Sequence, residues 1–234
     1  MLNIAVYASG SSGNCYTVSN GRATVMLDCG LPYHRIQELT GFIRPDAIFI
    51  THEHNDHVKA AREFIKRGVD VYMSQGTAEA AGIPTSHRLG IMKHCQSVRI
   101  DTITISAFNT QHDAAEPLGF LLDDGEDRVL YATDTYYIHF KFPRLTKIMV
   151  EANYSEPILE ENVFSGSVPE ALRKRLRQSH FSLENLKDFF KANDLSKVKE
   201  IWLIHLSAGN ANPPLFRREI EALTGKPVYI AGID

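Results

Sequence analysis

The heptapeptide Thr51-His52-Glu53-His54-Asn55-Asp56-His57 packs three imidazoles and two carboxylates into seven residues. Such side chains are mostly exposed or paired in folded proteins, and histidines this close repel one another whenever they protonate. A multiply charged cation between them removes the difficulty, because His nitrogen and Asp oxygen suit zinc and similar divalent transition metals. The spacing also constrains the fold. The apolar triplet Ile48-Phe49-Ile50 runs straight into the cluster, so the donors sit on the loop leaving a short buried strand, where a rigid scaffold can aim them.

The 234 residues, 44% of them hydrophobic, suffice for one large domain with a continuous core. A net charge of -3 leaves no global basic field that demands nucleic acid, although local patches stay open. The three cysteines, Cys15, Cys29 and Cys95, show no C-x-x-C pairing and leave an odd thiol. That argues against a disulfide framework and for a reducing cytoplasm. The first residues lack the basic start and apolar run of a signal peptide, and nothing approaches the ~18 apolar residues of a membrane span. A cytoplasmic chain without membrane association is expected.

Short β-type runs separated by Gly and polar turns dominate the first half, at 4–7, 15–18, 24–27, 48–50, 69–73, 96–100, 103–108, 119–122 and 128–132. Asp123-Asp124-Gly125 marks a hairpin between the last two. Residues 59–67 have helical spacing and end at Gly68. After a strand at 148–151 the pattern turns helical at 169–178, 183–191 and 214–223, with late strands at 201–204 and 228–230. Ser182 is the expected N-cap of the second helix, and Asn212-Pro213 and Gly225 bracket the third. No repeat or low-complexity linker interrupts the chain. Sheets with helices packed outside them follow from this order.

Three further donors stand just past expected strands: His112, Asp134 and His205. Each alone reads as an ordinary loop residue. In this order after H-x-H-x-D-H, the set resembles the metallo-β-lactamase fold superfamily, in its hydrolase and nuclease branch, over nearly the whole chain. The resemblance implies an α/β, four-layer αββα fold with two mixed β-sheets sandwiched between helices, as a single domain over residues 1–234. It implies one metal on His52, His54 and His112, a second on Asp56, His57 and His205, and Asp134 as the bridge. One oxygen per metal suits the ~3.5–4 Å separation of dinuclear hydrolases. Asp28 matches the carboxylate that props the metal loop from behind. His34, His87, His94 and His139 have no such company and read as loop or surface residues.

Lactam-opening members of the fold often place Cys where this chain has Asp134, so the all-His/Asp set favours phosphodiester or thioester hydrolysis. The roughly 70 residues between Asp134 and His205 leave no room for the large inserted cap of RNA-processing relatives. Nor does the stretch after His205 read as the long helical tail of a glutathione thioesterase. The loop Ala8-Ser9-Gly10-Ser11-Ser12-Gly13-Asn14-Cys15-Tyr16 is similar to the signature of the YycJ/WalJ-type branch, which is associated with exonuclease activity. Small residues there let backbone N–H groups approach an anion, making Ser11, Ser12 and Asn14 phosphate candidates. Glu151-Ala152-Asn153-Tyr154 resembles the E-x-N element of that branch. Arg173-Lys174-Arg175-Leu176-Arg177 before Ser179-His180-Phe181-Ser182 resembles its basic helix and G-H-L-S element, with Ser for Gly and Phe for Leu. Arg173, Arg175 and Arg177 are accordingly candidates for holding phosphate.

The expected function is a dinuclear metal-dependent hydrolase of phosphodiesters, an exonuclease acting on DNA or RNA ends. Asp56 is expected to handle the attacking water and His180 to serve as general acid. A small-molecule phosphodiesterase acting on cyclic nucleotides is the alternative. A binding module with a structural zinc is disfavoured, because structural zinc sites are closed, four-coordinate and mononuclear. Two divalent ions are implied, zinc first, with manganese and iron also accepting these donors.

Overall fold

The short apolar runs assemble into two mixed β-sheets, of six and seven strands, with flanking helices in the computed structural model, which describes residues 1–232. The chain divides into two compact units, Met1–Asn109 with Ala114–Arg128, and Thr110–Asp113 with the chain from Val129 onward.

The first unit contains β1 (Asn3–Ala8), β2 (Cys15–Ser19), β3 (Thr24–Leu27), α1 (Tyr33–Leu39), β4 (Ala47–Phe49), α2 (Asn55–Val58), α3 (Ala61–Lys66), β5 (Asp70–Met73), α4 (Gln75–Ala80), β6 (Leu89–Ile91), β7 (Ser97–Ile100), β8 (Ile103–Asn109) and β9 (Leu118–Asp123). Its six-stranded sheet runs β1-β2-β3-β4-β5-β6, antiparallel over the first three strands and parallel from β3 onward. Strands β7, β8 and β9 form an antiparallel meander. All three residues of β4 are buried, as befits a parallel strand covered on both faces. Phe49 meets Phe120 of β9 edge to face at 5.5 Å and stacks on Tyr72 at 4.8 Å. The core continues through Met26, Ile48, Ile50, Val71 and Met73 to Ala61 and Phe64 of α3.

The second unit contains β10 (Arg128–Ala132), β11 (Lys147–Glu151), α5 (Glu156–Phe164), α6 (Glu170–Ser179), α7 (Leu183–Ala192), β12 (Glu200–Ile204), α8 (Pro213–Thr224) and β13 (Val228–Ile230). Strands β10 to β13 are parallel in that order. The Ser182 side chain caps α7 by accepting from Asn185 N–H, and that of Asn212 caps α8 by accepting from Leu215 N–H. Gly225 closes α8 in the left-handed conformation at φ 66°, which glycine adopts without a Cβ penalty. Tyr154, Leu159 and Leu176 form a small apolar cluster under α5 and α6.

Sequence periodicity anticipated these strands and the later helices but not α1, α4, β6 or α5. The reason lies in how little those elements bury. Ile36 is the one buried side chain of α1 and Leu159 that of α5, so neither writes an apolar stripe into the sequence. The helix expected at 59–67 forms over Ala61–Lys66, two residues shorter at its start, because Asn55–Val58 forms its own turn, α2, capped by Lys59. His34, His87, His94 and His139 are exposed. No helix among the described residues is long and apolar enough to cross a membrane.

Candidate metal centre

In the first unit every donor lies past the carboxyl end of a parallel strand, the usual place for ligands in open α/β sheets. Asp28 follows β3, His52 follows β4, and α2 carries Asp56 and His57. Asp28 has φ 55°, a left-handed conformation that non-glycine residues adopt at some energetic cost and that clusters at functional sites. Its buried carboxylate accepts from Thr51 N–H at 2.8 Å, from the Thr51 hydroxyl at 3.1 Å and from His57 Nδ1–H at 2.8 Å. That last bond sets the tautomer of His57. Its Nε2 carries the lone pair, which accepts from the Asn14 amide at 3.1 Å and is the atom a metal requires. His52 Nδ1–H donates to Thr51 Oγ1 at 3.0 Å, so Asp28 orients that ring too, through the hydroxyl.

The outward nitrogens show the fit to a cation. His52 Nε2 and His54 Nδ1 lie 3.0 Å apart, near the ~3.3 Å edge of a tetrahedron with Zn–N of about 2.0–2.1 Å. Asp56 Oδ2 and His57 Nε2 make a second pair at 3.5 Å. The loop is knitted by backbone: Asn14 N–H donates to Asp56 C=O at 2.8 Å, and Cys29 N–H to His57 C=O at 2.8 Å. Gly30 lies so close that a Cβ would stand 1.6 Å from Asp56 O. Burial pushes the Cys15 thiol up to about 12 and that of Cys29 well above its ordinary value. Both cysteines are neutral packing residues, not ligands.

The second unit assembles its donors from separate places. Asp134 stands past β10, Glu151 ends β11, and His205 follows β12, so three neighbouring parallel strands deliver them to one end. Asp134 and His205 again have left-handed φ, 45° and 53°. Asp134 divides its carboxylate: Oδ2 is 3.6 Å from His112 Nε2, and Oδ1 is 3.1 Å from His205 Nδ1. His112 Nδ1–H donates to Ser179 C=O at 2.8 Å, which leaves Nε2 unprotonated. Burial lowers the His112 pKa and keeps the ring neutral, against the opposing pull of Asp134.

Glu151 is the residue that sequence reading passed over as a site member. It is fully buried and accepts from His180 Nδ1–H at 2.7 Å, from Thr135 N–H at 3.0 Å and from Phe181 N–H at 3.1 Å, with His205 Nδ1 at 3.2 Å. Asp134, Glu151, His180 and His205 each offer one ligand atom within 4.8 Å of the others. The signal was present as an acidic residue closing an otherwise apolar strand. Burial works to lower the His180 pKa, but the charge and hydrogen bond of Glu151 outweigh it and raise the value. In turn, the charge of His180 holds the Glu151 carboxyl below its usual range despite burial. Asn153 gives its amide to His205 C=O at 3.0 Å. The donor set, imidazole and carboxylate in both units, fits divalent metal.

The phosphate candidates part company. Ser11 and Ser12 are exposed on the β1–β2 turn. Asn14 is buried and fully engaged, its amide with Gly10 C=O and His57, its oxygen accepting from Gly10 N–H and the Tyr16 hydroxyl. Its side chain is taken up by these protein groups rather than open to a substrate. Arg173 is bound to Glu160 and Glu170, and Arg177 to Glu156 and Glu160. Arg175 gives one N–H to Asp113.

A family model described as the beta-lactamase superfamily domain matches residues 24–206. The exodeoxyribonuclease WalJ of Streptococcus pneumoniae is 28% identical over 224 residues, covering 88% of this chain and 82% of that protein. The exodeoxyribonuclease YycJ of Bacillus anthracis is 25% identical over 236 residues, covering 94% and 88%. Among solved structures, the metallo-beta-lactamase fold protein YhfI from Bacillus subtilis superposes with a TM-score of 0.75 at 16% identity, covering 98% of this chain and 96% of that one.

Proposed function

Because this chain belongs to the β-lactamase superfamily, we propose that it is a dinuclear metal-dependent hydrolase of phosphodiester bonds, acting as an exonuclease on DNA or RNA. His52, His54 and His112 would hold one divalent ion and Asp56, His57 and His205 the other, with the Asp134 carboxylate available to both. The observation that carries this reading is the divided carboxylate of Asp134, one oxygen toward His112 and the other toward His205. The paired donors His52/His54 and Asp56/His57 support it from the first unit. The exodeoxyribonuclease names of the two relatives support a polynucleotide substrate.

Two divalent ions supply Lewis acidity toward the phosphoryl oxygens and a water acidified to near neutral pH. The chain does the rest. Asp56, partly exposed, orients the attacking water and takes its proton. The acceptors Asp28 and Ser179 C=O fix the Nδ1–H tautomers of His57 and His112, which leaves the lone pair of each ring on Nε2. His180 is held by Glu151 through Nδ1, which leaves Nε2 to give a proton to the departing oxygen.

The test is an activity panel with metal counting. End-labelled single- and double-stranded DNA, RNA and cyclic nucleotides are incubated with Zn, Mn or Fe and either the wild type or Asp134→Ala. We expect stepwise shortening of a polynucleotide, two metals per wild-type chain, and a loss of at least about 10²–10³-fold in Asp134→Ala. Cyclic nucleotides as the sole substrate would replace the nuclease reading with a small-molecule phosphodiesterase. A single metal and no hydrolysis of any diester would sink both.

A further inference from the structure

Helix α6 carries four cations, and the helical repeat sorts them onto two faces. Arg173 and Arg177 are four residues apart and therefore neighbours. Their guanidinium groups are taken up by Glu160 and Glu156 of α5. Ala171, Lys174, Arg175 and Gln178, at i, i+3, i+4 and i+7, share the other face. That face lines a cleft of about 380 Å³ whose remaining walls are His112, Asp113 and Ser179. His112 is a metal ligand in the reading above, and the Ser179 carbonyl is the atom that fixes its ring.

The charges in the cleft are not balanced as they are on the α5 side. Lys174 is exposed and makes no ion pair among the described residues. Arg175 spends only Nε on Asp113, at 3.0 Å, so four of its five N–H donors are left over, in the forked geometry that grips a phosphate. The Asp113 carboxylate is the acceptor of that single bond. It holds the Arg175 stem in place while cancelling one of the two positive charges. Ala171, the smallest side chain of the row, leaves room between the helix and the opposing wall.

We propose that this face of α6 is a phosphate-backbone subsite, in which Lys174, Arg175 and Gln178 hold the phosphodiester next to the one being cleaved. The inference rests on the phosphodiesterase reading and deepens it. A subsite for a second phosphate beside a metal ligand selects a polynucleotide over a lone diester. It also replaces the expectation that the whole Arg173–Arg177 run contacts substrate, because two of those arginines already serve the α5 carboxylates.

The experiment compares the metal-loaded wild type with Lys174→Gln and with Lys174→Gln/Arg175→Gln on two substrates. One is a 12-nucleotide single-stranded DNA, and the other is bis(p-nitrophenyl) phosphate, which has no neighbouring phosphate. In the double variant, kcat/KM on DNA should fall by about tenfold relative to that on the small diester, carried by KM. The slope of log KM against log salt should drop by about 1–1.5, the loss of two single-strand phosphate contacts. Lys174→Gln, which breaks no bond among the described residues, should give roughly half of that slope change. An equal fall on both substrates would mean that the residues serve the metal centre or the fold, and would overturn the subsite. An unchanged KM for DNA would overturn it as well, leaving the nuclease reading intact. A wild type that cleaves only the small diester would instead show that the nuclease reading itself is wrong.

Discussion

The two units place metal donors by opposite strategies. In the first, four donors share one loop and the turn of helix that follows it, and a single buried carboxylate, Asp28, steers both His57 and, through Thr51, His52. In the second, His112, Asp134 and His205 come from loops far apart in sequence, and each is fixed by a different neighbour: Ser179 C=O, the Thr133 hydroxyl and Asn153. A concentrated set depends on one support, whereas a dispersed set divides the load. Damage to the supports should therefore be collective in the first unit and local in the second.

Removing Asp28 is the largest expected effect. Asp28→Ala strands Thr51 N–H and the two groups that donate beside it in a buried site. Each stranded donor costs about 1–3 kcal/mol, so urea unfolding of the metal-free chain should show several kcal/mol of lost stability. Metal counting should find the His52/His54 and Asp56/His57 donors failing together. Retention of both metals at wild-type affinity would show that the loop backbone alone holds the ligands. Next comes His180→Gln. The proton donor is lost but no ligand or support of the first unit is touched, so kcat should fall by about 10²-fold or more with metal content unchanged. Unaltered turnover would remove His180 from the chemistry. Smaller again is Asn153→Ala, which frees the His205 carbonyl and ring edge. A roughly tenfold weaker affinity for one metal, the other holding, is the outcome that fits local damage; loss of both would erase the contrast between the units.

The same contrast explains what the sequence made legible. His52, His54, Asp56 and His57 stand together, so their chemistry can be read without a fold. His112, Asp134 and His205 acquire meaning only in combination, because what unites them is strand order: β10, β11 and β12 are neighbours in space while 14 or more residues separate each from the next. Glu151, legible only as part of the E-x-N element, could not be placed in the site for the same reason. It ends a buried strand, and only the register of β11 between β10 and β12 puts it against His180 and His205. Helix α5 was illegible for another cause. One buried leucine gives it no apolar stripe, and without α5 there was no sign that Glu156 and Glu160 would claim Arg173 and Arg177. Asn14 likewise read as a loop residue open to anions, because the backbone approach of Gly30 and Asp56 that buries it depends on three loops meeting.

The smallest effect concerns those ion pairs, and it probes how far local damage spreads in the second unit. Arg177→Gln removes the bonds to Glu156 and Glu160 at the partly exposed edge of the α5–α6 pair. Exposed ion pairs contribute about 0–1 kcal/mol and weaken with salt, so the urea midpoint should shift slightly in 50 mM salt and hardly at all in 0.5 M. The apolar contacts of Tyr154, Leu159 and Leu176 keep the helices together. The Ser179 carbonyl that orients His112 lies at the last residue of α6, beyond the altered pair. If metal affinity nevertheless fell in step with the midpoint, the helix pair would be an extended prop for His112, and the second unit would share the collective fragility of the first.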